Sequence, residues 1–341
     1  MKGSSTHTIQ KKAVRYNYVR FESVGGFHAF VDDEVKVLST HNRPVLKSIN
    51  EGTQKQIEQG TQWYGSPPPK SISELDQHTR FMGMHLADEV RAKIKKYLAS
   101  YMRLLDSEQM PKPKISYNDR GLGMFSFDRA SVGLFKATRI NTLTPIDSTI
   151  TQLNIELGKK QTRTTVKKVF AYLENKRTHL PSMRLYIMAG ANAHVQGDEL
   201  LYVGLACHEL IDFLQARGVA VEVNVLLGTY FNHQISMAVI KLKSFEDSMD
   251  TNQLLLLTSD PRYFRYKGFK ALIALSNHFK LAIDTGLGRL TESMGYEFVQ
   301  VLNEKDTSRG FVFEQSYSLD SAAKEVKRII TTYNETNHQS N

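Results

Sequence analysis

Between Ala206 and Phe213 the chain reads Ala-Cys-His-Glu-Leu-Ile-Asp-Phe, which puts a thiol, an imidazole and two carboxylates on one short stretch. A zinc-binding helix of the His-Glu-x-x-His type needs a second histidine four residues after the first, and that place is held by Asp212. Asp212 is instead spaced to hydrogen-bond His208 on the same helix face. Cys207 sits among Leu205, Ala206 and Leu210 with no activating cation nearby in sequence, so it reads as a small buried hydrophobe. No serine lies in a Gly-x-Ser-x-Gly elbow, and no Gly-Lys-Ser/Thr phosphate loop occurs. Gly-x-Gly in "IDTGLGRL" stands alone; it reads as a glycine-shaped loop, with Asp284 beside it as a minor site candidate.

Two stretches carry chemistry of another kind. "GKKQTRTTVKKVF" holds Lys159, Lys160, Arg163, Lys167 and Lys168, with no acid between Glu156 and Glu174. Such a run suits a phosphate-facing patch, or else a solvated face. "DPRYFRYKGFK" interleaves Arg262, Arg265, Lys267 and Lys270 with Tyr263, Phe264, Tyr266 and Phe269. Cations can meet phosphates while rings stack on bases, which makes Arg262, Arg265, Tyr266, Lys267 and Lys270 candidate nucleic-acid contacts. The alternative is a helix entry whose rings are core and whose cations are solvated.

The elements that must position these residues follow from periodicity. "RLYIMAGANAHVQGDELLYVGLACHELIDFLQARGVAVEV" reads as strand, loop, helix and strand, a βαβ unit whose helix spans about 198–216 and closes at Arg217-Gly218. Further strands are expected at Met237–Leu242 and Glu297–Leu302. Helices are expected at Thr251–Ser259, Tyr263–Phe279 and 318–333, with Pro261 as a break. Upstream, "AVRYNYVRFESVGGFHAFVDDEVKV" alternates around Gly25-Gly26 as a β-hairpin would. A polar helix is expected over 43–59. The three prolines of "GTQWYGSPPPKSISEL" forbid regular structure, and Ser71 with Glu74 opens an amphipathic helix over about 73–107.

The fold class is therefore α/β: flexible residues 1–12, an α+β region over 13–180, an α/β sheet domain with helices on both faces over 181–335, and a flexible tail at 336–341. The 341 residues are enough for about two domains. Lys and Arg exceed Asp and Glu by 44 to 35, a net charge of +9 that favours a polyanionic partner. One cysteine excludes an internal disulfide and suits a reducing compartment. The N-terminus lacks an apolar run of signal-peptide length, so neither export nor a membrane is expected.

In an open α/β sheet, ligands gather beyond the carboxyl ends of the strands, here at Ala189-Gly190-Ala191-Asn192-Ala193. By position, this loop is similar to the metal loop of von Willebrand factor A domains, which present Asp-x-Ser-x-Ser. Alanines at 189, 191 and 193 offer no side-chain oxygen to a hard cation, so neither metal nor cofactor is expected. A second resemblance rests on Trp63-Tyr64-Gly65, "SISELDQHTRFMG", "LIDFLQARGVAVEV" and "IKLKSFEDSMDTNQLLLLTSDPRYFRYKGF". These resemble a broad family of uncharacterised tailed-bacteriophage proteins. That resemblance implies a von Willebrand A-like C-terminal domain without an intact metal site, a viral origin and work in the host cytoplasm.

The resulting expectation is a non-catalytic binding or scaffolding protein. It would contact phage or host proteins through the metal-free domain, and DNA or RNA through basic surfaces. A nucleic-acid-processing enzyme and a virion component are the alternatives, and oligomeric state is left open.

Overall fold

The computed structural model describes residues 3–60, 68–81, 88–89, 91–96, 99, 114–118, 123–127, 169–174, 181–192, 194–195, 197–283, 286–304 and 310–339. Strands are β1 (Ser4–Lys11), β2 (Val14–Phe21), β3 (Lys114–Asn118), β4 (Met124–Phe125), β5 (Phe170–Glu174), β6 (Ser182–Ala189), β7 (Ala220–Phe231), β8 (Gln234–Lys243) and β9 (Gly310–Phe313). Helices are α1 (Val24–Lys36), α2 (Arg43–Gln59), α3 (Ile72–Asp76), α4 (Leu201–Gln215), α5 (Thr251–Ser259), α6 (Phe269–His278), α7 (Met294–Asn303) and α8 (Leu319–Gln339). A π-helical segment, Tyr263–Gly268, leads into α6.

The chain divides into two compact units, residues 1–110 with 181–341, and residues 111–180. The smaller contains a three-stranded antiparallel sheet in the order β3-β5-β4. The larger is built on a six-stranded mixed sheet in the order β1-β2-β8-β7-β6-β9. Its β6–α4–β7 stretch is the expected βαβ unit, with β6 and β7 parallel. Gly218 closes the unit's helix at φ +75°, where the Val219 N–H reaches back to the Leu214 carbonyl at 3.1 Å.

Both faces of the sheet are covered. One core joins Val19, Phe21, Leu185, Ile187, Val223, Val225 and Ile240 to α1, α4, α5, α6 and α8. The other sets Tyr16, Tyr18, Tyr186, Met188 and Leu226 against Met294, Phe298, Val299 and Leu302 of α7. This is a mixed α/β, Rossmann-like arrangement. Among the described residues no helix is long and apolar enough to cross a membrane.

Five local expectations are corrected. The hairpin turn falls at Lys12-Ala13, not at Gly25-Gly26: β1 uses residues expected to fray and pairs with β2 from Ser4↔Phe21 to Lys11↔Val14. Gly26 lies in the first turn of α1, where its N–H is capped by the Ser23 hydroxyl at 3.1 Å. Because β2 pairs with β8, the six-stranded sheet draws on both sides of the boundary expected near 180. Residues 297–302 belong to α7, since their buried side chains recur at three- and four-residue spacing despite β-forming types. The amphipathic helix expected over about 73–107 is interrupted rather than continuous: its first segment ends at Asp76 and Gln77–Phe81 are not helical, while the described residues 88–89, 91–96 and 99 are helical. At the C-terminus α8 extends to Gln339, into the expected tail.

Candidate functional site

The loop after β6 is closed by the rest of the chain. Ala189 and Ala191 are each 1% exposed, and Gly190 adopts φ +110° with a Cβ position only 3.0 Å from the Phe264 ring. Asn192 faces Leu290, accepting from its N–H at 3.2 Å through Oδ1. The Tyr317 hydroxyl donates to the Gly190 carbonyl at 3.0 Å, and burial pushes that hydroxyl's pKa up, which keeps the proton on the donor.

Arg265 completes the closure. Its guanidinium donates to the carbonyls of Ala191 (3.1 Å), Asn192 (2.8 Å) and Val195 (3.1 Å). These are backbone oxygens of the loop, hard donors that a permanent positive charge already engages. A divalent cation seated there would displace the guanidinium or face it across a few ångströms of low-dielectric interior. Among the described residues no cluster of His, Cys, Asp and Glu is arranged to hold a metal ion. Ala193 and Asp284 lie outside the described residues.

The basic and aromatic segment therefore serves the interior. Arg262, 5% exposed, pairs with Glu74 at 3.0 Å, and Arg265 is 8% exposed. Tyr263 bonds His28 at 2.8 Å and Tyr266 is buried against Leu75. Lys267 donates to the His78 carbonyl at 2.8 Å, and burial lowers its pKa. Lys270 meets Asp76 at 2.5 Å and lies over the Tyr266 ring. His78 reaches Asp260 at 2.9 Å, with both side chains buried. So the expected nucleic-acid contacts Arg262, Arg265, Tyr266, Lys267 and Lys270 instead clamp residues 74–78 and the β6 loop. The rings are core, as the alternative reading had it, but the cations are paired rather than solvated. Lys159, Lys160, Arg163, Lys167 and Lys168 lie outside the described residues.

Two described histidines have a hydroxyl and a carboxylate around the ring: His278, with Thr6 Oγ1 3.0 Å from Nε2 and Glu34 Oε1 3.0 Å from Nδ1, and His208. At His208, Nε2 is 2.8 Å from the Thr251 Oγ1, while Nδ1 is 2.9 Å from Arg91 Nη2 and 3.4 Å from Asp212. The Arg91 guanidinium can only donate, so Nδ1 accepts and the neutral ring carries its proton on Nε2. That proton points at the Thr251 hydroxyl. The imidazole is thus a donor to the Thr251 hydroxyl and does not serve as its base in this arrangement. Burial lowers the pKa of His208, which favours this neutral form. Glu209 on the same turn pairs with Arg91 at 3.2 Å. The Asp212 spacing was legible in sequence; Arg91 and Thr251, from distant elements, were not. Cys207 is fully buried with its pKa well raised, an inert core thiol as expected.

A cavity of ≈ 390 Å³ lies beside β9, between α7 and α8. Much of its polar lining is internally paired. Asn303 bonds both the N–H (2.7 Å) and the carbonyl (2.9 Å) of Gly310. Arg328 donates to the Val312 carbonyl at 2.6 Å and to Glu325 at 2.7 Å, while Glu325 accepts from the Glu314 N–H at 3.0 Å. Glu314 in turn accepts the Tyr296 N–H in the first turn of α7 at 2.6 Å, and burial raises its pKa. These side chains satisfy the outer edge of β9 as a neighbouring strand would.

A family described as a domain of unknown function (DUF7192) matches residues 167–337, about half of the chain. The chain belongs to that family. The match takes in β5 to β9, α4 to α7 and most of α8, and stops short of β1 and β2, which complete the same sheet as β6 to β9. Comparison with curated proteins and with solved structures finds no match.

Proposed function

We propose that the chain is a phage-encoded binding or scaffolding protein of the host cytoplasm. In this reading a metal-free, von Willebrand A-like sheet makes protein contacts, and the Lys159–Lys168 stretch contacts DNA or RNA. The observation that carries it is the Arg265 guanidinium across the Ala191, Asn192 and Val195 carbonyls. In α/β sheets of this kind, the carboxyl-edge crevice is where ligands are held and turned over. Here it is filled by an arginine, an asparagine and a phenylalanine bonded or packed to the chain itself. The nucleic-acid half rests on charge: five cations without an intervening acid in a chain of net charge +9.

The test is retention on single-stranded DNA, double-stranded DNA and RNA across a salt series. The native chain is compared with the Lys159→Glu, Lys160→Glu, Lys167→Glu, Lys168→Glu variant. Retention that weakens steadily with salt and is lost in the variant supports the nucleic-acid half. No retention at low salt removes it and leaves the protein-contact half alone.

A further inference from the structure

The two edges of the six-stranded sheet are treated differently. At β9 the outward backbone groups are met by Asn303, Arg328 and Glu325, as above. At β1 no equivalent exists among the described residues. The Glu22 N–H donates to the Gly3 carbonyl, so in the antiparallel β1–β2 register the odd-numbered residues of β1 turn their backbone groups toward β2. Ser4, Thr6, Thr8 and Gln10 therefore turn theirs outward.

The usual protections of an edge are missing as well. From Ser4 to Gln10 there is no proline and no charged Asp, Glu, Lys or Arg, and the pairing with β2 runs eight residues without a bulge. The side chains of this strand are already directed to the two faces of the sheet rather than over its edge. Thr6 bonds His278 on one face, while His7 stacks on Tyr18 and Lys11 pairs with Glu304 on the other.

We infer that β1 is a strand-addition surface whose occupant is a second copy of this chain, paired antiparallel about a two-fold axis at His7. Self-pairing is favoured because the strand is self-complementary there: Thr6-His7-Thr8 reads the same in both directions. In that register Ser4 faces Gln10 of the second copy and Thr6 faces Thr8, giving hydroxyl and amide pairs. Lys11, the only formal charge of the strand, faces Gly3 of the other copy, so the two lysines stand at opposite ends. The two sheets become one continuous sheet with an isologous interface.

Sedimentation of the native chain over a concentration series reads the mass directly, and a doubled mass is expected. Thr8→Pro removes an outward N–H that β2 does not use, which an edge strand tolerates, and is expected to return the mass to that of one chain. Independently, His7→Cys places two thiols at a non-hydrogen-bonded pair about 4.5 Å apart between Cα atoms, within disulfide reach. Mild oxidation is expected to link it covalently, while Ser5→Cys stays unlinked; Cys207 is buried and takes no part. A single-chain mass at every concentration overturns the proposal. So does a dimer that Thr8→Pro leaves intact, or one linked by Ser5→Cys and not by His7→Cys.

Discussion

The Arg265 guanidinium sits 2.8 Å from the carbonyl of Asn192, a residue 73 positions earlier in the chain. That contact joins the π-helical segment after Pro261 to the loop after β6, and with it two ends of the same core. A side chain rich in donors is held by oxygens that have no other described partner of comparable charge. The loop is thereby shaped by an internal cation.

Arg265→Ala is expected to lower unfolding stability by about 3 kcal/mol, because it leaves buried carbonyls without their donor. Arg265→Lys should recover only part of this, since a point charge cannot span three acceptors as a planar fork does. Denaturant unfolding of the two variants checks both statements. A change within the scatter of surface substitutions would contradict them.

Gly190→Ala is expected to cost about 2 kcal/mol. The φ of +110° is one that L residues rarely adopt, and the new methyl meets the Phe264 ring at 3.0 Å. Thermal unfolding reads the loss, and Phe264→Leu in the same background should relieve the steric part alone.

The pH dependence of stability carries the His208 and His28 signatures. Burial lowers both pKa values in the folded chain, so the unfolded chain binds more protons as pH falls. Their contribution is complete above the ordinary histidine value of about 6.5 and is lost as pH falls from there through the lowered folded-state values. Unfolding midpoints measured downward from neutral pH should therefore decline, and His208→Gln should flatten part of that decline. A decline that is unchanged in His208→Gln and His28→Gln together would contradict the assignment.

Asn303→Ala is expected to cost about 1–2 kcal/mol and to speed aggregation, because it uncovers both backbone groups of Gly310 on the β9 edge. Light scattering on warming separates the two effects. An equally stable and equally soluble variant would show that the cap does not protect the edge.

How far the sequence could be read depended on how local each signal was. The β6–α4–β7 unit was legible because apolar runs, helical spacing and the Arg217-Gly218 stop all lie within forty contiguous residues. Residues 297–302 carry β-forming types, Phe298, Val299 and Val301, that suggest a strand, while the packing of α7 on Tyr18 and Met188 makes them helical. The alanine loop is legible as poor in oxygen donors, but the arginine that closes it is not. Arg265 looked like a phosphate contact because nothing in its own segment shows that its partners are carbonyls near residue 192. The Thr251–His208–Arg91 arrangement was hidden for the same reason, with partners 43 and 117 positions away.

Titration of the native chain with Mg²⁺ and Mn²⁺, followed by calorimetry and by unfolding temperature, tests the closed loop most directly. The guanidinium-filled crevice predicts no saturable heat and no rise in unfolding temperature with either ion. Saturable binding that stabilises the chain and disappears in Asn192→Ala would contradict it.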